Sequence, residues 1–292
     1  MVYDSSTVPR MPDIEPILRF FVLFCSIHLF VSYLAAPLAI SKRTLDSLSL
    51  DNRISVSESK LICSSVNSIL TGCIGVWIIF LQPQFVGKDL FHVWPLLLDL
   101  AFSMYLGYTL YDLLTMVFQK HHWTMWLHHA TGALGAIIML VYKKGAIYPC
   151  YFMITEFTAI INNMLWYVKT IRDADVARNE RMKAGGGSAK SDLKPPPPPS
   201  LLYVNLMYIR AWAFVFLRVW VGPYALWVSV VGLGGWEPLL KEWMVLPLPA
   251  LVIGSISFAM FTLLNFIWTP AVFAKATKAA QAYKAGKAKK NK

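Results

Sequence analysis

Charge is scarce in this sequence. Only 15% of its 292 residues are Asp, Glu, Lys or Arg, where a soluble domain carries about 25%. With 57% of residues hydrophobic, this deficit excludes an ordinary soluble domain and implies a membrane protein. Cysteine is scarce as well. Cys25, Cys63, Cys73 and Cys150 all fall in or beside apolar runs, so they read as small buried hydrophobes and no disulfide framework is expected. There is no CxxC, no HExxH and no Gly-rich phosphate loop. No metal and no cofactor is therefore expected, and no nucleic-acid partner.

What the sequence has is long apolar runs. A membrane helix needs about 20 consecutive apolar residues. Seven segments qualify: Ile14–Ala36, Leu61–Leu81, Val93–Phe118, Trp123–Tyr142, Ile147–Ile171, Leu201–Val221 and Leu246–Trp268. The first is too long and too far from Met1 for a cleaved signal peptide, and Pro37 follows its small-residue pair, so it reads as a retained helix. Gly222-Pro223 is expected to end the sixth span. The next apolar piece, Tyr224–Leu233, is too short to cross and is expected to lie at the interface or re-enter. The expected fold is an all-α integral membrane bundle of about seven transmembrane helices.

Basic residues set the orientation. With the N-terminus outside, the cytosolic side receives nineteen Lys and Arg and the opposite side five. The C-terminus is therefore expected in the cytosol. The resulting layout is a tail at 1–13, a first helix and basic loop at 14–54, a main domain at 55–270, and a Lys-rich cytosolic tail at 271–292. Within the main domain, residues 184–200 (AGGGSAKSDLKPPPPPS) form a Gly-rich then Pro-rich cytosolic linker. The chain closes on Lys289-Lys290-Asn291-Lys292. This resembles the dilysine retrieval signal of endoplasmic reticulum membrane proteins, which engages the coat machinery. A generic lysine tail attracted to anionic lipid fits the same residues.

Ionisable side chains inside apolar runs cost free energy and mark function. The stretch Tyr105–Tyr142 carries Asp112 in its first run and His128-His129 in its second. Asp112 and His129 each lie about 9 Å of helix from the intervening turn, which places them at one depth in an antiparallel hairpin. They are expected to converge with His128 in one cavity opening toward the cytosolic half of the membrane. Adjacent histidines point about 100° apart. His129 is the expected partner of Asp112, with His128 facing Glu156 or a bound lipid. Tyr105, Tyr108 and Asp112 share one helix face, as do Glu156 and Asn163. Arg210, Arg218 and Asn265 supply further polar positions in the last two spans. Polar pairing between helices is the alternative reading of Glu156 and the arginines. His121-His122 belong to the turn, and His28 and His92 are isolated. Six histidines in this arrangement do not make the histidine boxes of membrane di-iron hydroxylases.

The run YLGYTLYDLL, the His-His pair 16 residues after its Asp, and an acid in the next helix resemble the TLC-domain family. That family includes ceramide synthases. The resemblance covers about residues 55–270 and is anchored on Asp112, His128-His129, Glu156 and Asn162 or Asn163, with Arg210 or Arg218 weaker. It implies a lipid-handling bundle of the endoplasmic reticulum, with membrane lipids as partners. In ceramide synthases the His-His pair is catalytic and a His-Asp-x-x-Asp sequence follows. Here EFTAIINNMLWYVKTIRDADVARNE has none, so the chain looks closer to the small, poorly characterised branch of the family. Two functions follow from the resemblance. One is binding or regulation of lipids in sphingolipid or ceramide homeostasis. The other is acyl-CoA-dependent N-acyl transfer to a sphingoid base at Asp112, His128 and His129, with acyl-CoA as substrate rather than cofactor and Lys120, Lys169 and Arg172 near the CoA phosphates.

Overall fold

Apolar, helix-favouring runs become helices throughout the described residues, and no strand forms among them. The structure is a computed structural model and describes residues 11–35, 53–81, 93–118, 123–184 and 198–290. The basic loop at 37–52, His92, Lys120, His121-His122 and residues 185–197 of the linker lie outside the described residues.

Helix α1 covers Ile14–Phe30 and continues through a wider π-type turn, Val31–Ala35. Asp13 caps it, its carboxylate accepting from the Glu15 N–H at 3.1 Å. Helix α2 is Arg53–Val76, prolonged by a similar turn at Trp77–Leu81. Helices α3 (Leu96–Val117) and α4 (Trp123–Tyr142) form the hairpin around the Asp and His-His positions. Helices α5 (Ile147–Ile154) and α6 (Phe157–Ala184) follow. Helix α7 (Leu201–Phe214) starts at Ser200, whose hydroxyl accepts from Tyr203 N–H at 3.1 Å. It passes through a π-type turn at Val215–Val219 into α8 (Val221–Gly232). A short helix α9 (Trp236–Val245) and a long helix α10 (Leu248–Lys290) complete the order.

Six of these segments are long and apolar enough to cross a membrane: Ile14–Tyr33, Ser59–Leu81, Leu96–Val117, Trp123–Tyr142, Leu201–Gly232 and Leu248–Ala288. The expected fifth span is broken at Thr155-Glu156. There the backbone switches to tighter bonds, Thr155 N to Phe152 O and Glu156 N to Met153 O. The hydroxyls of Thr155 and Thr158 donate to carbonyls three residues back, at 2.6 and 2.8 Å, a pattern that bends helices. The two pieces still run antiparallel along all of α2. A Cβ on Gly75 would lie 2.7 Å from Cys150 O, and one on Gly72 2.8 Å from the Phe157 ring. Asn163 Nδ2 then reaches Leu61 O at 3.1 Å and Ser65 Oγ at 2.8 Å. The broken pair therefore packs along α2 from Gly75 back to Leu61.

Two expected boundaries are corrected. The sixth span does not end at Gly222-Pro223, and Tyr224–Leu233 is not a separate piece. Trp220 N bonds Val215 O at 3.0 Å across the π-type turn. That turn resets the helix so that Pro223 falls in the first turn of α8, where its missing N–H costs nothing. The last span likewise does not stop at Trp268. Pro270 is absorbed within α10, and the Ala- and Lys-rich residues beyond it are strong helix formers. At 43 residues the helix is about 64 Å long, about twice the hydrocarbon thickness.

The crossings close into a ring. Helix α3 packs on α2 and α4, α4 on α10, α10 on α7, α7 on α6, and α5 and α6 on α2. Helix α1 stands outside the ring, against α3 and α2. Small residues let the helices approach, as membrane packing requires. A core of Trp94, Leu98, Ala101, Phe102, Leu140 and Cys150 fills one end of the ring. Helix α9 sits where α8 and α10 leave the membrane. It buries Leu239 completely and exposes Trp236, Leu240 and Met244 on one side. Glu237 and Lys241 pair at 2.8 Å on its surface, the composition of a helix lying in the membrane interface.

One stability prediction arises from the linker. Pro198 presses on α10 at Gly286, where an added Cβ would overlap the proline ring. Gly286→Val should lower detergent-extracted thermal stability by about 1 kcal/mol, at the low end for overpacking, because Pro198 is exposed. Deleting Gly185–Pro198 alone should change stability little, and in that background Gly286→Val should have no further effect. A full Gly286→Val penalty without the linker would overturn this.

Candidate functional site

The site grows from α3, which α1, α2 and α4 enclose on most sides. Asp112 lies near its end and is only 3% exposed. Its carboxylate joins two other helices. Oδ2 lies 2.9 Å from His129 Nε2 on α4, and Oδ1 lies 3.0 Å from Lys60 Nζ on α2. Thr115 Oγ1 donates to Asp112 O at 2.8 Å. His128 turns away around α4 and packs its ring against Phe261 and Trp268 of α10, at 5.5 and 5.8 Å. Those aromatics, rather than Glu156, are its neighbours, because α10 rather than α5 covers that face of α4.

A hydroxyl–imidazole contact extends the cluster to α1. His28 Nδ1 and Tyr111 Oη are 2.8 Å apart, so His28 is not isolated. Phe24 packs edge-on against Tyr108 at 5.3 Å and stacks on Tyr111 at 6.2 Å. Tyr108 hydrogen-bonds Ser64 of α2.

A second polar cluster surrounds the break between α5 and α6. Arg218 is buried, and its Nε donates to Thr158 Oγ1 at 2.6 Å. Its guanidinium carbon lies 5.4 Å from the centre of the Phe214 ring, and Asn265 Nδ2 donates to its carbonyl at 3.4 Å. Glu156 hydrogen-bonds Ser68 and interacts with Arg218 and His129, which links the two clusters. The Tyr105 hydroxyl abuts Gly132 so closely that any side chain there would displace it. Of the two asparagines, Asn163 is buried against α2 while Asn162 is exposed. Arg210 is not part of either cluster. It lies on α7, and its Nε is buried without a hydrogen-bond partner among the described residues. Lys289 and Lys290 fall at the end of α10, and their side chains are outside the described residues. Arg172 sits over the Tyr203 ring at 5.4 Å, and Lys169 is exposed.

Sequence reasoning missed the contribution of α2. Lys60, Ser64, Asn67, Ser68 and Thr71 are spaced as one helix face, and three of these five residues meet a site group: Lys60 meets Asp112, Ser64 meets Tyr108 and Ser68 meets Glu156, while Thr71 donates to the Asn67 carbonyl one turn back at 2.5 Å. Their helical period was the available signal.

An apolar cavity of about 310 Å³ lies between α4, α5 and α10. Its inner end is formed by Tyr105, Thr131 and Glu156, and its outer end by Lys144, Trp243 and Leu246. Asp112, His128 and His129 do not line it. It lies on the side of Phe261 and Tyr105. No group of three His, Cys, Asp or Glu among the described residues could hold a metal ion.

The TLC-domain family model matches residues 59–273. This chain belongs to the TLC-domain family. The match begins one residue before Lys60 and runs from α2 into α10, whereas α1 lies outside it in sequence as well as in space. No curated protein and no solved structure matches the chain. As a TLC-domain protein the chain is a multi-pass membrane protein, and its buried acid, imidazole and guanidinium groups are held inside the family's domain.

Proposed function

We propose that this TLC-domain protein binds a membrane lipid in the cavity between α4, α5 and α10 and acts in lipid homeostasis of the endoplasmic reticulum, with its C-terminus in the cytosol. The observation that carries this reading is the cavity itself. It is apolar, large enough for one chain, and ends at the polar cluster of Glu156, Tyr105 and Thr131. The family resemblance favours a role in sphingolipid or ceramide homeostasis, with the cavity itself taking one chain. The basic asymmetry of the loops and the Lys289-Lys290 pair support the location and the orientation.

The test is the lipid that copurifies. Protein extracted in mild detergent should carry a lipid enriched over the bulk extract, identified by mass spectrometry. Gly254 lines the cavity, and its nearest foreign atom is Met139 Cε at 3.9 Å. Gly254→Trp should therefore fill the space and remove most of that lipid without unfolding the protein. Equal lipid in both proteins would overturn the proposal.

One observation favours acyl-CoA-dependent N-acyl transfer as a second reading: the 2.9 Å contact of Asp112 with His129. A carboxylate at that distance orients an imidazole for general-base work. Acyl-amide product from an acyl-CoA and a sphingoid base, lost in Asp112→Asn and His129→Ala proteins of unchanged fold, would establish it. Turnover surviving both substitutions would exclude this site.

A further inference from the structure

The cavity also carries information about the head group of its occupant. Apart from tyrosines, two ionisable side chains line it: Glu156 at the inner end and Lys144 at the outer end. They are not equivalent. Glu156 is already engaged by Ser68 and Arg218. Lys144 has no ion-pair partner among the described residues and is half-buried where the cavity reaches the end of α4.

The backbone holds Lys144 in that position. Lys143, a residue with a Cβ, takes a left-handed conformation with φ 50°, and Gly145 follows with φ 68°. A non-glycine residue adopts that conformation at a cost and points to function when it does. Here it sends two adjacent lysines in different directions. Lys143 turns to α3 and donates to Asp99 Oδ2 at 2.7 Å, while Asp99 Oδ1 accepts from Trp94 Nε1 at 2.8 Å. Lys144 is left facing the cavity. Between the two ends the walls are apolar, built from Phe102, Phe152, Phe258 and Met139 among others.

We infer that the cavity takes a single-chain lipid with an acidic head, the head paired with Lys144 at the outer end and the chain directed inward toward Glu156. The inference rests on the reading of the cavity as a lipid pocket. An acidic head at the inner end would meet the Glu156 carboxylate, and a cationic head at the outer end would meet Lys144. The volume of about 310 Å³ lies at the small end of ligand sites and suits one chain rather than two.

Palmitic acid carrying a diazirine, and its methyl ester, separate the two ideas, because they share the chain and differ in charge. Full-length protein in phosphatidylcholine nanodiscs at alkaline pH would be irradiated with each probe, and labelled peptides mapped by mass spectrometry. The acid should label the segments around Phe152 and Phe258 about tenfold more than the ester, the low end for a charge-assisted contact. Lys144→Gln should equalise the two probes, and Lys144→Arg should retain the preference. Equal labelling by acid and ester in the wild type, or a preference that survives Lys144→Gln, would overturn the head-group assignment while leaving the lipid pocket standing. No labelling of those segments by either probe would overturn the pocket, and this inference with it.

Discussion

Asp112→Leu is expected to cost about 3 kcal/mol or more of stability, among the largest single-residue effects in this chain. The carboxylate is 3% exposed and stands between two potential cations, Lys60 Nζ at 3.0 Å and His129 Nε2 at 2.9 Å. Removing it leaves the Lys60 ammonium in a setting where its side chain is only 17% exposed. Removing one partner of a buried ion pair is the costly outcome, more so than replacing the whole pair. Lys60→Met in the same protein should therefore recover part of the loss, so the two substitutions together cost less than the sum of each alone. Thermal unfolding in detergent of the wild type, the two single variants and the double variant measures this. Additive effects would mean that Lys60 and Asp112 act independently, and the three-helix junction would lose its basis. Asp112→Asn keeps the shape and the hydrogen-bonding capacity, and should fall between the wild type and Asp112→Leu.

The parts of this site that were legible in the sequence are those that look anomalous in an apolar run. Asp112 and the His-His pair stood out because a membrane helix carries such groups at a cost, and equal distance from the turn placed Asp112 and His129 at one depth. Lys60 did not stand out, because a lysine at the start of a span is what the positive-inside rule leads one to expect. His28 was illegible for another reason: its partner Tyr111 is 83 residues away, and no local pattern joins them. The fold was read well wherever length and hydropathy decide. It was misread where one side chain redirects the backbone, as at Thr155-Glu156, or where a wider turn accommodates a proline, as before Pro223. The cavity could not be read at all. A void is set by how α4, α5 and α10 fail to fill the space between them, and that is a property of packing, not of any one segment.

Gly107→Leu should separate α1 from the ring. A Cβ at Gly107 would lie 2.6 Å from Phe20 Cβ, 2.8 Å from Ile17 O and 2.8 Å from Phe21 N. Two of these are backbone atoms of a helix, which cannot step aside as a flexible side chain can, so α1 must move as a body. Overpacking of this kind costs about 1–3 kcal/mol when neighbours can adjust, and more is expected here. The displacement has a local reporter. Cys63 is completely buried beneath α1, with its Sγ 3.5 Å from Phe24 O. Its thiol should be inert toward a maleimide in the wild type and react in Gly107→Leu, with Cys25, Cys73 and Cys150 replaced by Ala so that one thiol is read. The same movement breaks the His28–Tyr111 contact and removes Phe24 from Tyr108 and Tyr111, while the Asp112–His129 pair lies within the ring. If Cys63 becomes reactive while the ring keeps its thermal transition, α1 is an accessory held on by close packing at Gly107. Loss of the whole transition would instead make α1 part of the folding core, although it stands outside the TLC domain. An unreactive Cys63 in a stable Gly107→Leu protein would show that α1 does not pack as described.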